Sequence, residues 1–181
     1  MNSRYRSRPS LGFANLVGLR TLYVREVKRI FKIYGQTILA PIVTTLLFLL
    51  VFDIVFGSNR MIGNVPYREF LVPGLLMMAT LQSSFANTST SLIQQKLNDS
   101  IVDVLMPPLN SVEMTAGYIL GGVTRGLLVA FSTGLTLLMF HPLSIHNFLF
   151  IALHGLSAAL MMSVVGLMTG IWAEKFDHIS T

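Results

Sequence analysis

The residues of this 181-residue chain that could do chemistry are a few charged and amide side chains beside or inside long apolar stretches. Arg125 stands inside such a stretch, where a lone charge costs at least about 2.5 kcal/mol if the segment crosses a bilayer. Asn87 lies in the polar half of another stretch, QSSFANTSTS. Arg125 can be read as part of a wet pathway or as a buried structural partner, with the Asn87 region as a contact. Both residues are candidates for a pathway, and the two interpretations stay open.

A second candidate site is the amphipathic segment of about residues 94–106. Ile93, Leu97, Ile101, Val104 and Leu105 recur at helical spacing, while Lys96, Asn98, Asp99 and Asp103 occupy the other side. Pro107 and Pro108 then end the helix. A short helix of this kind is suited to docking in a groove of a soluble partner, and the alternative is a plain connector.

Catalytic and metal-binding patterns are missing from the sequence. The chain has no cysteine, no His-Glu-x-x-His and no Gly-x-Ser-x-Gly. Gly121-Gly122 has no following Gly-Lys-Ser/Thr, so the chain has no phosphate-binding loop. His141 and His146 flank Pro142 without further ligands. We therefore expect no catalytic residue, no metal site and no cofactor bound by this chain, which makes an intramembrane enzyme the weakest hypothesis.

The composition indicates that membrane-spanning helices hold these residues in place. Hydrophobic residues make up 52% of the chain and charged residues 12%, with a mean hydropathy of +0.65, whereas a soluble domain carries about a quarter charged residues. A membrane-spanning helix needs about 20 apolar residues. Four segments meet this length, at about residues 36–56, 70–92, 112–140 and 148–172. The sequence predicts an all-α membrane protein with four transmembrane helices.

The positive charges predict the orientation. Eight of the thirteen Lys and Arg residues precede the first segment. A cytoplasmic N-terminus then places ten on the inside and two on the outside, with Arg125 left uncounted because it lies within a predicted span. The net charge of +5 is explained by this bias, so we expect no nucleic-acid partner. The expected location is the plasma membrane, which is the inner membrane of a bacterium, with lipid as a partner. The eight residues are Arg4, Arg6, Arg8, Arg20, Arg25, Lys28, Arg29 and Lys32.

The basic N-terminal arm divides in two. Residues 1–12 are predicted to be a disordered basic tail. Residues 13–35 are predicted to form an amphipathic helix in the cytoplasmic headgroup region, because apolar residues recur at near-helical spacing between basic ones. The alternative is a polar extension of the first transmembrane helix. The apolar stripe consists of Leu16, Leu19, Tyr23, Val27, Ile30 and Phe31.

Several runs of sequence resemble the membrane subunit of type-2 ABC transporters. They are REVKR at 25–29, FLVPGL at 70–75, NDSIVDVLMPPL at 98–109, GYILGGVTRG at 117–126 and WAEKFD at 172–177. The matches are collinear over about residues 20–178. They are most similar to the bacterial permeases associated with drug and surface-polysaccharide export.

This resemblance implies a partner and a role for several residues. Such permeases pair with a separate ATPase subunit, which binds ATP and Mg and drives the membrane part, and with a second permease copy, here a homodimer. The arm would be the interfacial connecting helix, with Arg25, Glu26 and Arg29. The loop would be the coupling helix that enters a cleft on the ATPase, with Lys96, Leu97, Asp99, Ile101, Asp103 and Leu105.

The chain departs from the resembling family in its number of spans. The family has six, so four imply a fragment or a truncated product. The predicted architecture is an interfacial amphipathic N-terminal helix, four of six transmembrane helices and a short cytoplasmic coupling helix. The alternative functions are a non-transporting membrane scaffold and an inactive permease fragment. The sequence does not indicate the substrate.

Overall fold

The structure is a computed structural model that describes residues 16–57, 61–63, 65–98, 109–140 and 147–173. These residues are almost entirely helical, which confirms the all-α expectation, apart from a small antiparallel hairpin that pairs Met61 with Pro66. The helices are α1 (Leu16–Lys32), α2 (Ala40–Phe56), α3 (Tyr67–Leu97), α4 (Ser111–Phe140) and α5 (Phe148–Trp172), with a π-helical turn at Gly35–Leu39 before α2 and the strands β1 (Met61–Ile62) and β2 (Val65–Pro66) before α3.

The 31-residue helix α3 is the centre of the bundle, since α4 and α5 both pack along it. Its buried face is polar, and hydroxyl-bearing residues recur along it at helical spacing. Several of these hydroxyls are satisfied within the helix, as when Thr80 Oγ1 donates to the Leu76 carbonyl over 2.8 Å. The central helix is therefore held by polar packing, with apolar clusters nearer its two ends. The buried polar residues are Thr80, Ser83, Ser84, Asn87, Thr88, Ser89, Ser91 and Gln95.

Glycines let the neighbouring helices approach α3 closely. A Cβ atom built on Gly166 of α5 would lie 2.6 Å from the Phe85 carbonyl oxygen, which is backbone that cannot move aside. On α4, a Cβ at Gly122 would lie 2.7 Å from Thr88 Cγ2 and 2.5 Å from Ser163 Oγ. Small residues at such positions are the usual basis of helix packing in lipid. There the removal of apolar surface from water cannot drive association, because the helices are already surrounded by apolar lipid tails.

Proline explains the π-helical turn before α2. Pro41 has no N–H to donate to the carbonyl four residues earlier, and its ring would collide with that carbonyl in a regular helix. The wider turn moves the carbonyls, and the Ala40 N–H instead bonds to the Gly35 oxygen. The chain thereby passes from α1 into α2 without a long loop.

Three helices among the described residues are long and apolar enough to cross a membrane: Gly35–Phe56, Ser111–Met139 and Phe148–Trp172. They coincide with the predicted spans 36–56, 112–140 and 148–172. The predicted span 70–92 lies within α3, whose polar half keeps it out of this set. The predicted interfacial segment 13–35 contains α1, while the predicted tail 1–12, residues 13–15 and residues 99–106 of the predicted coupling helix lie outside the described residues.

Two glycines of α5 test the close packing against α3. Gly166→Ala is expected to lower the unfolding midpoint of the detergent-solubilised protein, at a cost of about 1–3 kcal/mol, because the new Cβ overlaps the Phe85 backbone. The matched change Gly155→Ala on the same helix meets open space, and is expected to leave the midpoint unchanged or to raise it slightly. Equal shifts for the two variants would contradict the packing described.

Candidate functional site

One face of the helix α1 packs against α4 and makes hydrogen bonds to α3. Leu22, Glu26 and Ile30 are four residues apart and are all buried. Leu22 joins an apolar cluster with Leu92, Tyr118 and Leu167. Beside Leu22 in α1, the Tyr23 Oη atom lies within hydrogen-bond distance of Thr124 Oγ1 of α4, at 2.9 Å. This face holds α1 against the bundle.

The predicted apolar stripe of α1 coincides with this face only in part. Ile30 is buried, but Leu16 is 69% exposed and Phe31 55% exposed. Glu26 instead takes a buried position, with 1% of its surface exposed. A charged residue on the buried face needs a partner of opposite charge, because an unpaired buried carboxylate is strongly destabilising.

Arg29 supplies that partner, one turn further along α1. Its Nη2 atom lies 3.0 Å from Glu26 Oε2. The same nitrogen donates to the Asn87 main-chain oxygen and to Asn87 Oδ1, both over 3.0 Å. Burial lowers the pKa of the Arg29 guanidinium and the Glu26 carboxylate raises it, and an arginine remains a cation at neutral pH. The hydrogen bonds of Arg29 to Asn87 therefore fasten α1 to α3.

The polar contacts continue from this pair across the bundle. Ser91 Oγ donates to Glu26 Oε1 over 2.8 Å, and Gln95 Nε2 donates to Ser91 Oγ over 3.2 Å. Tyr118 Oη of α4 donates to Gln95 Oε1 over 2.6 Å. We call Glu26, Arg29, Asn87, Ser91, Gln95 and Tyr118 the polar network, and it joins α1, α3 and α4 in one connected set.

Gly121 makes room for the network. A Cβ atom there would lie 2.9 Å from Glu26 Cβ and 3.5 Å from Asn87 Nδ2. Gly121 and Gly117 are one turn apart, and a Cβ at Gly117 would lie 2.6 Å from Leu22 Cδ2. The spacing therefore presents a flat strip of α4 on which α1 lies. The GG pair in the sequence thus serves helix packing.

Sequence reasoning placed Glu26 and Arg29 in one candidate group, the interfacial helix, and Asn87 in another, the candidate pathway. The structure brings the three residues together. It did not identify Ser91, Gln95 or Tyr118. A signal was present for two of these, because Asn87, Ser91 and Gln95 are spaced by four and must share one face of a helix. Tyr118 carried no such signal, since its contact joins residues 23 positions apart.

Arg125 and Asn87 do not bind each other. Arg29 occupies the Asn87 side-chain oxygen, while Arg125 lines a cavity of about 740 Å³ between α1 and α3, together with Gln36 at the start of the first apolar segment. Its Nε atom is buried and has no hydrogen-bond partner within the described parts of the chain. Arg125 thus lies beside the basic arm and close to Gln36, near the start of the first apolar segment. Its assignment to a pathway stays a prediction.

Lys96 ties the end of α3 to the end of α5. Its Nζ atom donates to the carbonyl oxygens of Gly170, Ile171 and Ala173, over 2.9, 2.6 and 3.1 Å. Helix ends leave such carbonyls without partners, and a cation there also complements the helix dipole. This role was not foreseen from the sequence, which assigned Lys96 to a partner surface.

The remaining docking candidates divide by location. Leu97 is 49% exposed at the end of α3, as a docking residue must be. Asp99, Ile101, Asp103 and Leu105 lie outside the described residues. Arg25, the third candidate on α1, is exposed and lines the same cavity as Arg125. The contact of these residues with a partner stays a prediction.

Two further titratable side chains, Glu113 and His154, have local structural contacts. Glu113 Oε2 accepts the Asn110 N–H over 2.9 Å, which caps the start of α4. His154 Nδ1 lies 2.8 Å from the Phe150 carbonyl oxygen of its own helix. No group of His, Asp and Glu that could hold a metal ion occurs among the residues that the structure describes.

Comparison with known proteins gives one family and a set of bacterial relatives. The profile of the family described as ABC-2 type transporter matches residues 17–181. The chain is similar to the inner membrane transport permease YadH of Escherichia coli K12, with 34% identity over 167 residues, which cover 91% of this chain and 64% of the relative. The permease of the same name from Shigella flexneri gives the same values. The chain therefore spans less than two thirds of the length of these relatives, and no solved structure matches it.

The ion pair generates a stability prediction. Arg29→Met is expected to destabilise the protein by about 3 kcal/mol, because it leaves the Glu26 carboxylate buried without a cation. The double variant Glu26→Gln/Arg29→Met is expected to be more stable than Arg29→Met alone. The measurement is chemical unfolding in detergent followed by circular dichroism. Arg25→Met, which removes an exposed arginine of the same helix, is the control, and an equal loss in that variant would contradict a structural ion pair.

The contacts of Lys96 generate a second prediction. Lys96→Met is expected to cost about 1–2 kcal/mol, because three terminal carbonyls of α5 lose a charged donor. Thermal unfolding in detergent measures the loss, and Lys28→Met, a change at an exposed lysine of α1, should leave the midpoint within error. If Lys96→Met behaves like Lys28→Met, the ammonium does not hold the two helix ends together.

Proposed function

The chain belongs to the ABC-2 type transporter family, and on this premise we propose that it is a membrane-embedded permease subunit of an ATP-driven transporter. The observation that carries the proposal is the family match over residues 17–181. The sequence similarity to export permeases and the printed name of the relatives, inner membrane transport permease, support export across a bacterial inner membrane. The substrate class is not part of the proposal.

The proposed membrane domain includes α3 as a fourth span. The helix runs antiparallel to α4, from Leu76 opposite Gly134 to Gln95 in contact with Tyr118. Ala86 of α3 lines the same cavity as Gln36, near the start of the first apolar segment. The part of α3 from Tyr67 to Ala86 is about 30 Å long at about 1.5 Å per residue, which equals the hydrocarbon thickness of a bilayer. Its polar face packs against α4 and α5 and forms hydrogen bonds with α1, so α3 does not need the hydropathy of a lipid-facing helix.

The proposed orientation has the N-terminus in the cytoplasm. The charge bias of ten cations against two supports it. In this orientation α1 lies at the cytoplasmic boundary, the hairpin β1–β2 lies outside, and the loop after α3 faces the cytoplasm. The basic residues of α1 then meet the anionic inner surface of the membrane.

The proposed energy source is a separate ATPase subunit that binds ATP and Mg. The chain contains no phosphate-binding loop, and Gly121-Gly122 is used for contacts with Glu26, Thr88 and Ser163. We assign ATP chemistry to that partner subunit. The proposed docking segment is the cytoplasmic loop that begins with Lys96 and Leu97 and continues through Asp99, Ile101, Asp103 and Leu105.

The polar network supports a mechanical role for α3 in this proposal. The docking segment follows α3 directly in the chain, and the same helix is fastened to α1 through Asn87 and Ser91. Lys96 fastens its end to α5. A push on the loop would therefore move α1, α3 and α5 together, which is the form of coupling that a switch between inward- and outward-facing states requires.

A second copy of the chain is the other proposed partner. Both α2 and α5 carry many large apolar side chains on exposed faces, including Leu47, Ile54, Phe148 and Met161. In a membrane such faces contact lipid or another transmembrane helix. A homodimer would use part of this surface, and a non-transporting scaffold with the same fold would show no coupling to an ATPase.

Co-purification with an ATPase tests the function. The full chain, expressed with the ABC ATPase of its own genome, is expected to retain that subunit through detergent purification. The triple variant Leu97→Asp/Ile101→Asp/Leu105→Asp is expected to lose it, because carboxylates replace the apolar face that enters the partner. The matched control is Met61→Asp/Ile62→Asp, which places exposed carboxylates on the outer hairpin. An ATPase that is lost equally from both variants would refute the assigned docking face, and one that never co-purifies with the wild type would favour the scaffold.

A further inference from the structure

The cavity between α1 and α3 has five cationic side chains and one carboxylate among the residues that line it. We call it the basic groove, defined by Arg25, Lys28, Arg29, Lys32 and Arg125 with Glu26. We propose that the basic groove binds the phosphate of an anionic phospholipid headgroup in the cytoplasmic leaflet. This inference rests on the proposed function only through the orientation of the chain.

The charge of the groove is not balanced within its described lining. Glu26 is paired with Arg29 at 3.0 Å, so this carboxylate is already used. Arg25, Lys28 and Lys32 are exposed along one side of α1 and line the opening. A concave surface lined by one sign of charge concentrates counter-ions, and a phosphate is the anion that several Lys and Arg side chains bind together.

Arg125 provides a donor inside the groove. It enters from α4, whereas the other four cations come from α1, so the basic residues surround the cavity from two helices. Its Nε atom is buried and has no hydrogen-bond partner among the residues that the structure describes. A buried guanidinium N–H without an acceptor is unfavourable, and a phosphate oxygen would satisfy it.

The surroundings favour a lipid over a soluble acidic peptide. Ile33 lines the groove itself and is 42% exposed, and Tyr34 and Leu39 next to it are also exposed. Gln36 in the groove lies at the start of the first apolar segment, where headgroups meet acyl chains. Basic residues with an apolar rim at this depth match an amphiphile with a charged head and a hydrocarbon tail.

The test is lipid binding to the purified full chain in detergent, without any ATPase. Native mass spectrometry measures the affinity for phosphatidylglycerol, with phosphatidylcholine as the zwitterionic comparison. The wild type is expected to prefer phosphatidylglycerol. Arg125→Gln is expected to weaken that binding about fivefold, the effect of one basic residue near an anionic surface. Arg20→Gln is the control, because Arg20 is an exposed cation of α1 outside the groove.

One further variant, one stability measurement and two competitors complete the test. Arg125→Lys retains the charge and should retain the lipid preference, while an unchanged unfolding midpoint of Arg125→Gln shows that the variant is folded. Excess inorganic phosphate distinguishes the source: displacement of the lipid supports a site for phosphate itself, and no displacement supports a site for the lipid headgroup. A Glu-rich peptide that binds where phosphatidylglycerol does not would overturn the proposal in favour of a protein partner.

Two outcomes of the lipid titration would also overturn it. One is equal affinity of the wild type for the two lipids, and the other is equal weakening by Arg125→Gln and Arg20→Gln. Either result would leave the co-purification with an ATPase untouched, because that experiment depends on the loop after α3. Failure of the groove and failure of the transporter assignment are therefore distinguishable.

Discussion

The position of α1 depends on one buried ion pair. Glu26 is 1% exposed, and a carboxylate with so little access to water needs a cation and hydrogen bonds to offset the cost of its burial. Arg29 and Ser91 provide them, and Arg29 also binds both oxygens of Asn87. Because these partners lie on α1 and α3, the pair is satisfied only when the two helices are in register. The apolar contacts of Leu22 alone would allow α1 to slide.

The same constraint explains why the bundle has a polar interior. In lipid, apolar surface gives helices little reason to associate, so small residues and hydrogen bonds must hold them together. The helix α3 provides hydroxyl-bearing residues on its buried face. The helices α4 and α5 provide small residues for close approach, namely Gly121, Gly122 and Gly166. The polar network depends on the close backbone approach, because a larger residue at Gly121 would displace Glu26.

The polar network and the basic groove are two sides of one arrangement. Arg29 turns inward to Asn87 while Arg25, Lys28 and Lys32 stay on the open side of α1. One short helix therefore connects the interior of the bundle with the basic groove, for which we propose a lipid headgroup as the ligand. In that proposal, binding in the groove would act on α3 through the hydrogen bonds at Asn87 and Ser91.

Sequence patterns alone predicted an all-α membrane protein with long apolar helices and the resemblance to the family to which the chain belongs. These follow from composition, segment length and collinear motifs, which are properties read along the chain. The contacts of Glu26, Arg29 and Asn87, and the capping role of Lys96, were decided only by the tertiary structure. They join residues 58 to 77 positions apart, and helical periodicity says which face a residue shares but not which neighbouring helix will cover it. For the same reason the hydropathy of α3 did not qualify it as a span, because its polar face is acceptable only after α1, α4 and α5 have packed against it.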